Sequence, residues 1–395
     1  MMKTEKVAAI ILSAGYSSRM GEFKPLLPLG DMTVLERTIR IFQTAGVTDI
    51  RVVVGYRSDD LLPFIKQWGA RWVVNERYWE DMFSSVVVGV NSLEPDRRAF
   101  FLLPVDVALV RQQTIFDLLE ARRLYEQKDI FYPLFMGKRG HPPLIDARYA
   151  EAIKCWSGHG GLRSFLAEYQ SRMQDVEVAD ECVLLDLDTP SDYQTMLARW
   201  QRYEIPTVQE CMALLTKKFE VSKRVLGHGR EVARVALLIA KALNRFGCRL
   251  DVELIVAAGL LHDMAKGKPD HANEGAKILK KLGYPVVADV VGAHHDMVVP
   301  DGAQLSAHEI VYLADKLVQG EKAVSLEARF QEKMDRYADD PQACAAIAAR
   351  LAQALAIKKR VESILGTSSD TIFTELSPGM DEAGKDDLLA PAWIH

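Results

Sequence analysis

Residues 7–29 read VAAIILSAGYSSRMGEFKPLLPL. The run Val7–Leu12 is short, apolar and bounded by turn residues, which predicts a strand buried on both faces. Ser13, Gly15, Ser17, Ser18 and Gly21 follow as a small, polar loop, through which backbone N–H groups can converge on a phosphate without side chains in the way. Arg19 and Lys24 add two fixed positive charges. Strand, loop and cations together suit the phosphates of a nucleoside triphosphate. The plainer alternative is a strand-to-helix loop with solvated charges. No G-K-[ST] follows the glycines and G-x-G-x-x-G is absent, so neither the P-loop nor the dinucleotide fingerprint applies.

Outward from this stretch, Thr33–Ala45 carries a helical apolar stripe, Asp49–Val54 reads as a strand, Asp59–Trp68 as a helix and Arg71–Asn75 as a strand. A helix starting near Ser84 or Ser85 and a strand over Ala99–Val105 continue the alternation, which predicts a doubly wound, largely parallel sheet. Ligands of such sheets bind at the carboxyl ends of the strands. Asp106 stands at one such end, in Leu103-Pro104-Val105-Asp106-Val107. A carboxylate there needs a partner; Mg²⁺ shared with phosphates is one, a helix N-cap role the other.

Leu12-Ser13-Ala14-Gly15-Tyr16-Ser17-Ser18-Arg19-Met20-Gly21 with Lys24-Pro25-Leu26-Leu27-Pro28 resembles the signature loop of the MobA-like nucleotidyltransferases, and within them the molybdenum cofactor cytidylyltransferases. The resemblance spans about residues 6–200 and implies a Rossmann-like α/β domain. It implies that Leu12, Ser13, Ala14, Gly15, Ser17, Ser18, Arg19 and Lys24 bind the nucleotide, with Arg19 and Lys24 neutralising the triphosphate. It assigns Asn75, Ser84 and Ser85 to nucleotide contacts, although the Gly usual in that loop is replaced near Asp81. Asp106 becomes a catalytic Mg²⁺ ligand, and Arg139, Gly140 and His141 of G-K-R-G-H-P border the acceptor. In Gly158-His159-Gly160-Gly161-Leu162-Arg163, His159 stands where an acid is usual. Asp186-Leu187-Asp188-Thr189-Pro190-Ser191-Asp192 matches the closing D-x-D-T-P-x-D motif. Asp186 and Asp188 are expected on one face of a strand, with Asp188 the second Mg²⁺ ligand. Ala14, where guanylyl relatives carry Gly, points to CTP. The acceptor implied is molybdopterin or another phosphorylated metabolite, and a molybdoenzyme is an implied partner.

Glu204-Ile205-Pro206-Thr207 reads as a linker, dividing residues 1–204 from a second domain over 205–366 and a tail over 367–395. Thr207 and Glu210 form a capping-box pattern, after which helical periodicity dominates. This all-α half contains His228, His262-Asp263, His271, His294-His295 and Asp315. A His-Asp pair behind Leu260-Leu261 would be buried unpaired without a ligand, and imidazole with carboxylate binds Zn²⁺, Mn²⁺ or Fe readily. The series resembles the HD superfamily of metal-dependent phosphohydrolases. On that resemblance His228, His262, Asp263 and Asp315 are core metal ligands, His271 and His294 extra ligands for one or two metals, and Lys266 a catalytic lysine. His295 is a weaker candidate, and residues 321–365 read as charged amphipathic helices forming scaffold or oligomer surface.

With 395 residues, 49% hydrophobic and 26% charged, the chain is globular, and at about 150 residues per domain it holds roughly two to three. A net charge of −5 gives no basic character for nucleic acid. The stretch Met1–Lys6 does not read as a signal peptide, no run reaches the ~20 apolar residues of a membrane span, and five scattered cysteines without C-x-x-C fit a reducing cytoplasm. The expectation is a nucleotidyltransferase fused to a phosphohydrolase. Its rival is a regulator that binds nucleotide without turnover, against which complete ligand sets in both halves argue.

Overall fold

The structure, a computed structural model, describes residues 6–294, 297 and 304–366. His295 and the tail over 367–395 lie outside the described residues. The chain divides into two compact units, Met1–Tyr203 and Glu204–His395.

The first unit opens with β1 (Val7–Ser13), every residue of which is buried. A short hairpin follows, β2 (Pro28–Leu29) with β3 (Met32–Thr33). Thr33 accepts a hydrogen bond from the Glu36 amide and so starts α1 (Val34–Thr44), which buries Leu35, Ile39 and Phe42. Next come β4 (Asp49–Val54), α2 (Ser58–Gln67), β5 (Arg71–Val74), α3 (Met82–Asn91), β6 (Ala99–Pro104) and α4 (Gln112–Leu124). Within the buried β4, Arg51 and Asp49 satisfy each other through two 3.0 Å hydrogen bonds. The unit continues with β7 (Ile130–Phe135), β8 (Lys138–Arg139), β9 (Leu144–Asp146), α5 (Ala150–Cys155), α6 (Gly161–Ala167), β10 (Met173–Glu177) and α7 (Pro190–Gln201).

The sheet runs β10-β7-β9-β6-β1-β4-β5, with β8 pairing β7. β1 is parallel to both β4 and β6, β4 to β5 and β7 to β10, whereas β9 is antiparallel to both its neighbours. Ile10, Leu12, Val53, Phe100 and Leu102 meet Phe83, Val86 and Val90 of α3 in the core. The sheet is thus mostly parallel, as the alternation predicts.

Two local expectations are corrected. α3 begins at Met82, before Ser84 and Ser85, because the Asp81 carboxylate accepts the Ser84 N–H at 2.7 Å and caps the helix earlier. Asp186 and Asp188 do not share a strand. A 3₁₀ turn over Glu181–Leu184 ends just before them, and residues 185–188 carry no regular structure. This segment is held by the Leu187 N–H donating to the Asp106 carbonyl at 3.0 Å.

The second unit begins at α8 (Val208–Ala213), where Thr207 and Glu210 form the expected capping box. α9 (Lys223–Arg245) and α10 (Val252–Leu261) form its centre, followed by α11 (His271–Lys281), α12 (Pro285–Ala293) and α13 (Ala307–Lys316). A small hairpin not legible in the sequence, β11 (Val318–Gln319) with β12 (Lys322–Ala323), precedes α14 (Leu326–Arg336) and α15 (Pro341–Leu365). α9 and α10 approach closely because each offers a glycine at the crossing. A Cβ on Gly229 would lie 2.7 Å from the Leu260 carbonyl oxygen, and one on Gly259 2.8 Å from the Ala233 Cα. The crossing sets His228, next to Gly229, beside His262, which follows the last residue of α10. Among the described residues no helix is long and apolar enough to cross a membrane.

Candidate functional sites

The parallel pairing of β1 with β6 brings Ser13 and Asp106 to the same sheet edge, where the Val105 N–H donates to the Leu12 carbonyl. Beyond that edge lies a cavity of about 520 Å³, within the range of small-molecule sites. Leu12, Ser13, Ala14, Gly15, Ser17, Arg19, Lys24, Ser85, Asp106, His141, Asp186 and Asp188 line it. The loop is folded on itself, with the Met20 and Gly21 amides donating to the Ser17 carbonyl and the Lys24 amide to Ser17 Oγ. That fold turns Lys24 inward until only 9% of the residue is exposed.

Charge converges on one point. Lys24 Nζ lies 2.9 Å from Asp188 Oδ1 and 3.5 Å from Asp106 Oδ2, and Arg19 Nη1 lies 3.0 Å from Asp188 Oδ2. Burial first, then the like charges of Asp188 and Asp186, push the Asp106 carboxyl above its ordinary range against the pull of Lys24. Asp188 is held in place by its neighbour, because Asp192 accepts from the Asp188 amide at 3.1 Å and from the Thr189 amide at 2.7 Å while completing the cap of α7. Two polar atoms of the wall, Ser13 Oγ and His141 Nδ1, are buried with no hydrogen-bond partner. Burial also holds His141 below its ordinary pKa, hence neutral. Buried polar groups without partners are rare enough to require a reason, and a polar ligand supplies one.

Other expected residues fall elsewhere. Asn75 donates to Ser84 Oγ at 2.9 Å and to Ser85 Oγ at 3.0 Å, and so fixes the start of α3; of the three only Ser85 lines the cavity. Arg139 is engaged by Asp175 at 2.6 Å on β8, and neither it nor Gly140, Ser18 or His159 is in the wall. The structure adds Tyr16, Tyr78, Trp79, Asp81 and Met82. Tyr16 packs against Tyr78 with ring centroids 5.4 Å apart, and Trp79 remains 60% exposed. The neighbouring aromatics Tyr78-Trp79 were the available signal for this rim.

In the second unit the His/Asp series assembles from separate elements. His228, His262 and Asp315 bring ligand atoms within 4.8 Å of one another, and so do Asp263, His271 and His294. Asp263 joins the groups. Its Oδ2 lies 3.8 Å from His228 Nε2 and 3.5 Å from His262 Nε2, and its Oδ1 lies 3.2 Å from His271 Nε2. Three rings have fixed orientation: Nδ1 of His228, His262 and His294 bonds the carbonyls of Gly320, Gly259 and Val291. A carbonyl only accepts, so Nδ1 of each ring carries a proton and Nε2 is the atom turned toward the carboxylates. At His228, Nε2 lies 3.2 Å from Asp315 Oδ1. A proton or a metal ion between them satisfies both, His262 Nε2 is buried with no hydrogen-bond partner, and a divalent metal suits the donor set of imidazoles and carboxylates. Burial, helped by His262, pushes His294 down to about 3. Burial opposes ionisation of Asp315, and Lys316 with His228 outweighs it, holding the carboxyl well below the usual range. Lys266 pairs with Asp263, and Lys316, which sequence reasoning passed over, pairs with Asp315 at 2.7 Å.

The family model of the MobA-like NTP transferase domain matches residues 9–175, and that of the HD domain matches residues 225–340. The chain is 27% identical over 195 residues to the molybdenum cofactor cytidylyltransferase of Escherichia coli (strain K12), covering 49% of this chain and 97% of that protein. It is 32% identical over 128 residues to the 2-aminoethylphosphonate cytidylyltransferase of Lancefieldella rimae, covering 31% of this chain and 51% of that protein. It is also 38% identical over 96 residues to the ribonuclease Y of Mycoplasma capricolum, a match covering 22% of this chain and 18% of that protein.

Proposed function

We propose that this chain, which carries a MobA-like NTP transferase domain followed by an HD domain, transfers a cytidylyl group from CTP to a phosphorylated acceptor and releases pyrophosphate, and that its second unit is a metal-dependent phosphohydrolase. The observation that carries the first part is the meeting of Ser13, Lys24, Asp106, Asp186 and Asp188 at the carboxyl ends of β1 and β6 around one cavity.

Asp106 and Asp188 would hold Mg²⁺, for which the convergence of their oxygens on the Lys24 ammonium is the supporting geometry. Bound there, Mg²⁺ supplies charge neutralisation at the phosphates. The loop amides and Ser13 Oγ bind phosphate oxygens, and Arg19 and Lys24 move from carboxylate to phosphate partners. They then oppose the charge that builds on the α-phosphate as the acceptor's phosphate oxygen attacks it and pyrophosphate leaves. Ala14 in the base-side loop and similarity to two cytidylyltransferases support CTP. We take the acceptor to be a phosphorylated pterin such as molybdopterin; Tyr16, Tyr78 and Trp79 on the rim offer faces to a planar ring.

In the second unit His228, His262, Asp263, His271, His294 and Asp315 would hold one or two transition-metal ions, which supply Lewis acidity toward a phosphoryl oxygen. Lys266 and Lys316 orient Asp263 and Asp315. None of the five cysteines forms a disulfide, which suits a reducing cytoplasm. Pyrophosphate release measured with CTP, GTP, ATP and UTP in competition, with molybdopterin as acceptor, tests the first part. Preference for GTP removes the cytidine assignment, and no release with any nucleotide removes the transfer reaction.

A further inference from the structure

Beside the His/Asp cluster the second unit holds a cavity of about 570 Å³ that has His228 in its wall. The rest of the wall is strongly cationic. It contains Arg224 from the first turn of α9, Lys266 from the loop after α10, and Arg329, Lys333 and Arg336 from α14. The three α14 cations share one helix face by their spacing, and that face is tied to the metal-ligand cluster. Arg329 donates to the carbonyls of Asp315 and Val318 and lies 3.5 Å from Asp315 Oδ1. Glu332 is the one carboxylate in this wall, and Arg336 takes it at 2.7 Å. Asp263 and Asp315 of the cluster engage Lys266 and Arg329, so Arg224 and Lys333 carry the charge left over in this wall. The imbalance is felt inside the cavity. Burial first, then the charges of Arg329 and Lys316, depress Lys333 to about 8.

An anion of high charge density beside the His/Asp cluster resolves this arrangement. A phosphomonoester carries roughly −1.5 to −2 at neutral pH; seated against the cluster it leaves Arg224 and Lys333 unmatched, and a second, linked phosphoryl group matches them. We propose that this cavity takes a diphosphate, with one phosphoryl group against the His/Asp cluster and the other among Arg224, Lys333 and Arg336, and that the second unit cleaves it between the two. The proposal rests on the phosphohydrolase reading of the second unit and names its substrate class. In the step, a water oxygen forms a bond to the phosphorus at the cluster. The bridging P–O bond breaks, its electron pair leaves on the distal phosphate, and the protons of the water end on the two phosphate products. The diphosphate has two sources, free pyrophosphate, which the first unit's reaction releases, or the diphosphate of a nucleotide.

Calorimetric titration of inorganic pyrophosphate into the chelator-treated, full-length protein tests the binding half. On the proposed transfer reaction the first cavity also takes this anion, so the second-unit share is the part lost in Arg224→Ala and Lys333→Ala. That share is expected to weaken at least tenfold in both variants, with melting temperature and metal uptake at wild-type level. Equal pyrophosphate binding in wild type and both variants overturns the proposal. Phosphate release by the Mn²⁺-loaded protein then distinguishes the sources. Cleavage of pyrophosphate supports the free anion, and cleavage of CDP with pyrophosphate left intact assigns the site to a nucleotide diphosphate. Cleavage of p-nitrophenyl phosphate with neither diphosphate bound nor cleaved overturns the proposal and leaves the phosphohydrolase reading standing. Variant-sensitive pyrophosphate binding with no cleavage of any of the three overturns the phosphohydrolase reading and keeps the diphosphate site.

Discussion

Replacing Lys24 with methionine, close in length but uncharged, separates two roles the ammonium plays. In the free protein Nζ bridges Asp188 at 2.9 Å and Asp106 at 3.5 Å, with 11% of its side chain exposed. At an effective dielectric of about 20 each contact is worth roughly 5–6 kcal/mol of gross Coulomb energy, most of it offset by desolvation of the ions. Lys24→Met therefore leaves Asp106, Asp186 and Asp188 facing each other with the exposed Arg19 as their remaining cation in the wall. Mg²⁺ alone should bind the variant more tightly than the wild type, since the competing ammonium is gone. The metal-free variant should melt at a lower temperature and recover on adding Mg²⁺. With CTP the sign reverses. A hydrogen bond from a charged donor contributes about 1.5–3 kcal/mol, so CTP with saturating Mg²⁺ should bind about 10- to 150-fold more weakly. Calorimetric titration of Mg²⁺, then of CTP in its presence, reads both effects. Tighter Mg²⁺ binding with unchanged CTP affinity would refute the reasoning, for Lys24 would then be a counter-ion of the fold that never reaches the phosphates.

Four further outcomes follow from the geometry. The raised Asp106 carboxyl holds its proton more tightly in the folded than in the unfolded chain, so stability from this group falls as pH rises through its folded pKa. The melting-temperature advantage of Asp106→Asn over wild type without metal should accordingly widen with pH. Asp188→Asn removes a like charge from Asp106, so the acid limb of Mg²⁺ binding should move to lower pH, as a pH series of Mg²⁺ titrations would show. Asp263→Asn weakens the carboxylate shared by both halves of the His/Asp cluster and should lower bound transition metal by elemental analysis, with pyrophosphate release at the first site unchanged. Gly229→Ala puts a Cβ 2.7 Å from the Leu260 carbonyl oxygen, so α9 and α10 must separate, at about 1–3 kcal/mol by denaturant titration and with loss of metal.

What could be read from the sequence, and what could not, divides along the range of the interactions. β1 and β6 are continuous apolar runs whose burial on both faces is written into consecutive residues, so the parallel centre of the sheet was legible, as was the cap at Thr207, which depends on a residue three further on. β9 is three residues long and antiparallel to both neighbours, a pairing fixed by partners 45 and 15 residues away, for which no local signal exists. The same limit misplaced Asp186 and Asp188. Alternation suggested a strand, but the segment is held by a single backbone bond to Asp106, which sequence periodicity does not register. Asn75 shows the opposite case. Its residue type suited ligand contact, and its amide is instead committed to Ser84 and Ser85, since a buried amide takes the nearest acceptors. The His/Asp series was legible because polar residues interrupt apolar helices at positions a core would fill with Leu or Ala. The cations of α14 were not, because arginine and lysine at a spacing of three or four are usual on any solvated helix face. Only the crossing of α9 with α10 and the hairpin that Arg329 ties to Asp315 turn that face toward His228. A charge pattern therefore becomes evidence of a ligand site only once the backbone shows what it surrounds.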